Sequence, residues 1–286
     1  MTKQINVGFN GSASSSEAVQ WAAEAASSRG ARLRLISCYP MPIMPGLGLG
    51  LTPSEAYSSV LSDTHDSLVN MQAVIAASHP NLEINTVASS DPAASVLVDG
   101  VTEDDLVVVG TSNHQGAAGF WLGSTARHVV RHSPCPVVVV PGPANRSHTE
   151  RIVVGVDGSP TSRQALHWAG DQADRCGAKL LIVHGWMYPY MHTDPDSSQV
   201  RDLTRVDAAC LLDREVEAAR EQFAAEVTGR LMECSGSAAL LGTVRQGDLL
   251  VLGSKGHGAI HSTLFGSTVN TVLDHCTVPT VIVRRA

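Results

Sequence analysis

Glycines placed where a strand ends and a helix begins can hold a phosphate, and one stretch of this sequence carries that pattern. Gly253-Ser254-Lys255-Gly256 follows the aliphatic run DLLVL, and after nine further residues Gly266, Ser267 and Thr268 open a helix-like segment to Asp274. Glycine lets backbone N–H groups approach phosphate oxygens and adopts positive φ. A helix start leaves N–H groups without intrahelical partners, and its dipole favours an anion. Ser267 adds a hydroxyl donor and is expected to cap the helix. Lys255, His257 and Gly258 stand inside the loop, where the two side chains can meet a phosphate. The second element is Asp157, which with Gly155 lies in IVVGVDGS, another strand-like segment. Ligands of open parallel sheets bind beyond the carboxyl ends of strands. Asp157 and Gly253 both end strands, so they are expected to face one crevice, where a carboxylate can bond ribose or an adenine edge. Each feature has a plainer reading too: a tight strand-to-helix turn for the glycines, a turn-former or helix cap for Asp157.

The same elements occur twice. VGFNGSASSSEAVQWAAEAASSRGARLRLI, from Val7, matches VGVDGSPTSRQALHWAGDQADRCGAKLLIV, from Val154, at an offset of 147 residues. LVVVGTSNHQGAAGFWLGST matches LLVLGSKGHGAIHSTLFGST at an offset of 143, so the second copy is four residues shorter in between. A period this long means duplicated domains rather than a solenoid. Copy one departs from copy two at two chemical positions. Asn10, after Gly8, stands where Asp157 stands, and Asn113 replaces the second loop glycine in Gly110-Thr-Ser-Asn113, which leads after nine residues to Gly123-Ser124. Asparagine tolerates left-handed φ and its amide still bonds bases, so this site is expected to be weakened or altered rather than lost.

Alternating strand-like and helix-like segments must position these residues. In copy one the pattern predicts strands at Ile5–Phe9, Leu33–Cys38, Leu82–Val87, Leu106–Gly110 and Val137–Val140. Ser12 or Ser14 can cap a first helix that Gly30 closes; Pro53–Ala77, Pro92–Val101 and Ser124–Arg131 complete the helices. Strands alternating with helices indicate right-handed βαβ units and a mainly parallel sheet. In copy two, Asp202–Met232 reads as one long helix, only Glu233–Gly236 separates it from SAALLGTV, and the third strand is therefore expected to be missing. A polar linker, Gly142–Thr149, joins domains at 1–143 and 150–286.

Composition narrows the function. The 286 residues suit two domains, and 43% hydrophobic against 16% charged residues supplies each with a core. Net charge is −7, from 20 basic and 27 acidic residues, which argues against a nucleic-acid binder. A small phosphate ligand stays open, since backbone N–H groups need no lysines. The start shows no secretory signal and no run reaches a membrane span, so a cytoplasmic protein is expected. Six cysteines lack CxxC spacing and read as reduced core filler. His128/His132 and His257/His261 have i,i+4 spacing, but no acidic partner sits between them, and no metal site is expected. No GxSxG elbow or complete Walker motif occurs. Trp21 and Trp168 lie among helix alanines and read as core.

Both halves resemble the universal stress protein domain. The resemblance rests on VGVDGS with Asp157, the G-x2-G-x9-G-S loop at Gly253, Gly256, Gly266 and Ser267, and the endings HSPCPVVVV and HCTVPTVIV. It covers nearly the whole chain and is similar to the tandem class of mycobacteria and other actinobacteria. It implies an open, Rossmann-like sheet in the order 3-2-1-4-5 in each domain, ATP in the crevice between strands one and four, magnesium with it, and pairing through the fifth strands, within the chain or across a homodimer. It also implies a regulator of stress survival and growth rather than an enzyme. Two other functions remain open on the residues alone: a low-turnover ATP hydrolase or adenylyl transferase, and a nucleotide-free interaction module.

Overall fold

The computed structural model describes residues 3–39, 53–111, 122–142, 149–188, 197–256 and 266–284. Among these the chain forms two compact units, one within residues 3–142 and one within 149–284. Asn113, His257, Gly258, His261 and most of the linker lie outside the described residues.

Unit 1 starts with β1 (Gln4–Gly8), α1 (Ala13–Arg29), β2 (Arg32–Cys38) and α2 (Pro53–Ser78). It continues with β3 (Ile84–Ser89), α3 (Ala93–Val98), β4 (Leu106–Gly110), α4 (Ser124–His132) and β5 (Val137–Val140). The sheet order is β3-β2-β1-β4-β5. All four pairings are parallel, with Ile5 opposite Leu33 on one side and Leu106 on the other. Ile5, Val7, Leu33, Leu35, Val107 and Val108 are fully buried, as central strands covered on both faces require.

Unit 2 repeats the plan with β6 (Arg151–Gly155), α5 (Pro160–Cys176), β7 (Lys179–Trp186), α6 (Ser197–Gln222) and β8 (Val227–Glu233). α7 (Gly236–Leu241), β9 (Asp248–Gly253), α8 (Ser267–His275) and β10 (Thr280–Val283) complete it. Its order, β8-β7-β6-β9-β10, is again 3-2-1-4-5.

The expected loss of the third strand from copy two is wrong. β8 runs parallel to β7 over seven residue pairs, from Leu180–Val227 to Trp186–Glu233. The helical pattern carries on through FAAEVTGRLME, and no proline or glycine marks the stop at Gln222. Tertiary contacts end the helix instead. The Asp174 carboxylate on α5 accepts the N–H groups of Ala224 and Ala225 at 3.2 and 2.8 Å. The Arg220 guanidinium holds the Val227 carbonyl. α6 then packs so closely on β8 that a Cβ on Gly229 would lie 2.8 Å from Val216. In copy one β3 is present but lies two residues later than expected, and α3 is shorter.

Each first helix is entered and left in the same way. Ser12 and Ser159 cap α1 and α5 by accepting the N–H groups of Ser15 and Ser162. Gly30 and Gly177 close them in left-handed conformation. The turns before them pass through Gly11 and Gly158 at φ 76° and 78°, which a side chain would strain.

The opposite ends of the sheets are tied by a carboxylate. The Asp248 oxygens accept the Arg151 Nε and Nη2 donors at 3.0 and 2.6 Å and the Arg245 N–H at 2.7 Å. Asp105 does the same in unit 1 with Gln4 N–H, Thr102 N–H and the Thr102 hydroxyl. Asp248 is buried while Arg151 is half-buried, so the pair is worth more than a surface bridge. Asp248→Ala is expected to cost about 2 kcal/mol and lower the melting temperature by roughly 4–8 °C; an unchanged thermal transition would show that the pair is dispensable.

Candidate functional site

Each unit holds a cleft at the carboxyl ends of its first and fourth strands. In unit 2 it measures about 290 Å³, and Asp157, Gly253, Lys255, Gly256, Gly266, Ser267 and Thr268 line it, with Gly155 on the floor. In unit 1 it measures about 360 Å³, and Gly8, Asn10, Gly110, Gly123 and Ser124 line it. The expected residues are thus brought together in both units, apart from Ser254 and those outside the described set. Ser254 is buried away from the cleft: its N–H donates to Val283 and its carbonyl accepts the N–H of Gly266 at 3.3 Å. That last bond closes the glycine loop on itself.

The glycines serve different purposes. A Cβ on Gly253 would lie 2.7 Å from the Thr161 carbonyl oxygen, and one on Gly110 the same distance from that of Ser14. These two are demanded by the backbone at the start of α5 and α1, so their first role is packing. Gly256 is of another kind, since its Cβ would stand 2.2 Å from Asp157 Oδ2. The loop and the strand-end carboxylate therefore meet at Gly256. The loop is also held from outside: the Thr161 and Ser159 hydroxyls donate to the Lys255 carbonyl.

Asp157 combines the turn-forming and site readings. Its Oδ1 accepts the Ser159 N–H at 3.0 Å, and its own N–H donates to the Ser162 hydroxyl. Asn10 makes the matching bonds to Ser12 and Ser15. The expected cap at Ser267 is corrected. α8 begins with Gly266 as its cap residue and with no side-chain cap bond; α4 begins likewise on Gly123, and Ser267 and Ser124 are the first helical residues. Glycine supplies no side-chain acceptor, so the N–H groups of the first turn are left for whatever enters the cleft.

Gly185 and Gly236 form a cleft wall that was not expected from the sequence. A Cβ on Gly185 would meet the Cys234 carbonyl oxygen and Gly236 Cα at 2.9 Å. The register of the repeat could have found them, because Cys38 and Ala93 occupy these positions in copy one. Trp21 and Trp168 are partly exposed and line neither cleft. His128 and His132 are exposed with ring centroids 4.3 Å apart. No group of three or more metal-ligating side chains occurs among the described residues.

Comparison with known proteins agrees with this architecture. The model of the universal stress protein family matches residues 1–141 and again 148–284. A universal stress protein of Mycolicibacterium smegmatis is 28% identical over 286 residues, covering 98% of this chain and 96% of the relative. One from Mycobacterium tuberculosis is 28% identical over 307 residues, covering 98% and 94%. The crystal structure of a universal stress protein from Archaeoglobus fulgidus superposes with a TM-score of 0.64 at 16% identity, covering 99% of this chain and 98% of that one.

The two kinds of loop glycine separate by experiment. Gly253→Ala drives a Cβ into fixed backbone and is expected to cost roughly 1–3 kcal/mol of stability without any ligand. Gly256→Ala meets only the end of a side chain that can rotate, and is expected to leave the urea midpoint nearly unchanged. Equal losses from the two would contradict the assignment.

Proposed function

The chain belongs to the universal stress protein family, and on that premise we propose that unit 2 is an ATP-binding regulatory module. One observation carries the reading: α8 starts uncapped on Gly266, in the cleft that Asp157 and Gly256 share. In this assignment the first-turn N–H groups with Ser267 and Thr268 hold phosphate oxygens, Lys255 offsets their charge, and Asp157 accepts a hydroxyl or amine of the nucleoside. The residues fit such a ligand, since the wall at Gly185 and Gly236 bears no side chains and Val156, Leu240 and Leu252 supply apolar surface. Magnesium enters with the phosphates, as Asp157 is the one carboxylate among the described lining residues.

ATP is a ligand here and not a consumed substrate. Phosphoryl transfer needs a positioned base or water-orienting group and a held metal, and the reading assigns Asp157 to the nucleoside. The protein then works in stress response and growth control in the cytoplasm; no helix among the described residues is long and apolar enough to cross a membrane. Pairing through β5 and β10 belongs to the same proposal. Each is the apolar edge strand of its own unit's sheet, and such an edge needs a partner, within the chain or in a homodimer.

Three outcomes test this reading. Gly256→Val is expected to cost at least about 1–3 kcal/mol of ATP binding, through crowding at Asp157 and lost hydrogen bonds; calorimetry at wild-type affinity would sink the assignment. Millimolar ATP with magnesium is expected to raise the melting temperature of unit 2 by about 5–10 °C for an affinity in the tens of micromolar. Phosphate release near the roughly 10 per second of a median enzyme, abolished by Asp157→Ala, would instead place the protein among ATP hydrolases.

A further inference from the structure

Unit 2 has a second opening, between α5 and α6, that shares no lining residue with the cleft at the strand ends. It measures about 370 Å³, within the range of small-molecule sites. Its floor is apolar and partly built from small residues. Ala218 and Ala219 stand where α2, aligned with α6 on the last helical residue, carries Val74 and Ile75. Leu166 and Phe223 are buried beside them. A Cβ at Gly170 would run into the Phe223 ring, so α5 bears no side chain where that ring lies against it.

The rim is charged. Glu215 is only 5% exposed, and its Oε1 accepts Arg163 Nε at 3.3 Å and Arg214 Nη2 at 3.0 Å. The two arginine side chains remain 49% and 61% exposed. Each spends one donor on Glu215 and meets no other acceptor among the described residues, which leaves the rest of each planar fork open. Across the mouth, the Gln222 amide donates to His167 Nδ1 at 2.9 Å, so the imidazole is neutral and its proton sits on Nε2. Two guanidiniums against one carboxylate give the groove one surplus positive charge, in a chain of net charge −7.

Stability alone does not ask for this cluster. Burying a carboxylate is costly, and an apolar residue in place of a buried ion pair is often neutral or stabilising. Unit 1 folds with Met71 at the position of Glu215, Asn70 at that of Arg214 and Ser16 at that of Arg163. Glu215 instead holds two guanidiniums side by side over an apolar floor. We propose that this groove is a binding site for a small organic monocarboxylate. Arg163 and Arg214 hold the carboxylate, as guanidinium forks suit it, and the apolar body lies on Leu166, Ala218 and Phe223. The single surplus charge matches a monoanion, whereas the second charge of a phosphate dianion would stand unbalanced beside Glu215.

The test uses the full chain, with hexanoate, acetate and inorganic phosphate as probes in ligand-observed NMR titrations. Hexanoate is expected to bind at one site per chain, at least about tenfold tighter than acetate because of its added methylenes, and equally well with magnesium-ATP present. Arg163→Gln and Arg214→Gln, both at exposed positions, are each expected to weaken hexanoate about tenfold. Glu215→Met, which installs the unit 1 residue, is expected to lower the preference for hexanoate over phosphate at least about tenfold, since the surplus charge rises to two. No hexanoate binding at millimolar concentration, an affinity equal to that of acetate, or displacement by magnesium-ATP would each overturn the proposal. So would an affinity indifferent to both arginine substitutions, which would leave the cluster a structural ion pair; these two variants decide the matter if Glu215→Met does not fold.

Discussion

The backbone at the start of α5 lies against the end of β9, and α1 lies against β4 in the same way. A Cβ at Gly253 or Gly110 would come within 2.7 Å of a carbonyl oxygen of the facing helix start. This contact lets the first helix of each unit begin directly beside the fourth strand. The turns at Asp157 and Asn10 are thereby drawn over the crevice, and in unit 2 the glycine loop is drawn within reach of the Thr161 and Ser159 hydroxyls. Widening the contact by one methyl group would move the helix start, the turn and the loop together. The cleft is thus a consequence of strand-to-helix packing before any ligand is considered.

Within that shared frame, few atoms set the chemistry. The turn bond from Ser12 or Ser159 is the same in both units, yet the side chain that accepts it is a neutral amide in one and a carboxylate in the other. A duplicated domain can diverge in this way without losing its fold, since both residue types form the turn equally well. The back walls diverge further, from a pair of mutually packed glycines to Cys38 and Ala93. Two clefts of one ancestry therefore need not hold one ligand.

Much of this was legible in the sequence, for physical reasons that can be named. Central parallel strands are covered on both faces, so LVVV and LLVL stand out as unbroken aliphatic runs. Ser12, Ser159, Gly30 and Gly177 act through their own side chain or their own φ, and local chemistry of this kind is readable residue by residue. β8 was not legible. It is an outer strand whose last six residues are all exposed or partly exposed, Gly229 and Arg230 among them, and its hydrophobic pattern also suits a helix. The preceding helix stops where Asp174 takes the Ala224 and Ala225 N–H groups and Arg220, in the helix's own last turn, holds the Val227 carbonyl, and Asp174 belongs to a helix some fifty residues earlier in the chain. Nor did the sequence reveal that Gly266 rather than Ser267 takes the cap position.

The sequence by itself determined the duplication, the alternation of strand and helix, and which residues could hold a phosphate, because repeats, hydrophobic period and residue type are local properties. Tertiary structure alone decided which glycine meets Asp157, that Gly253 and Gly110 are held first by packing, and that Gly185 and Gly236 form a wall. Those distinctions depend on distances between segments tens of residues apart. The same holds for Asn10: the residue is visible in the sequence, but only the structure shows that its carbonyl oxygen is taken up by the Ser12 N–H.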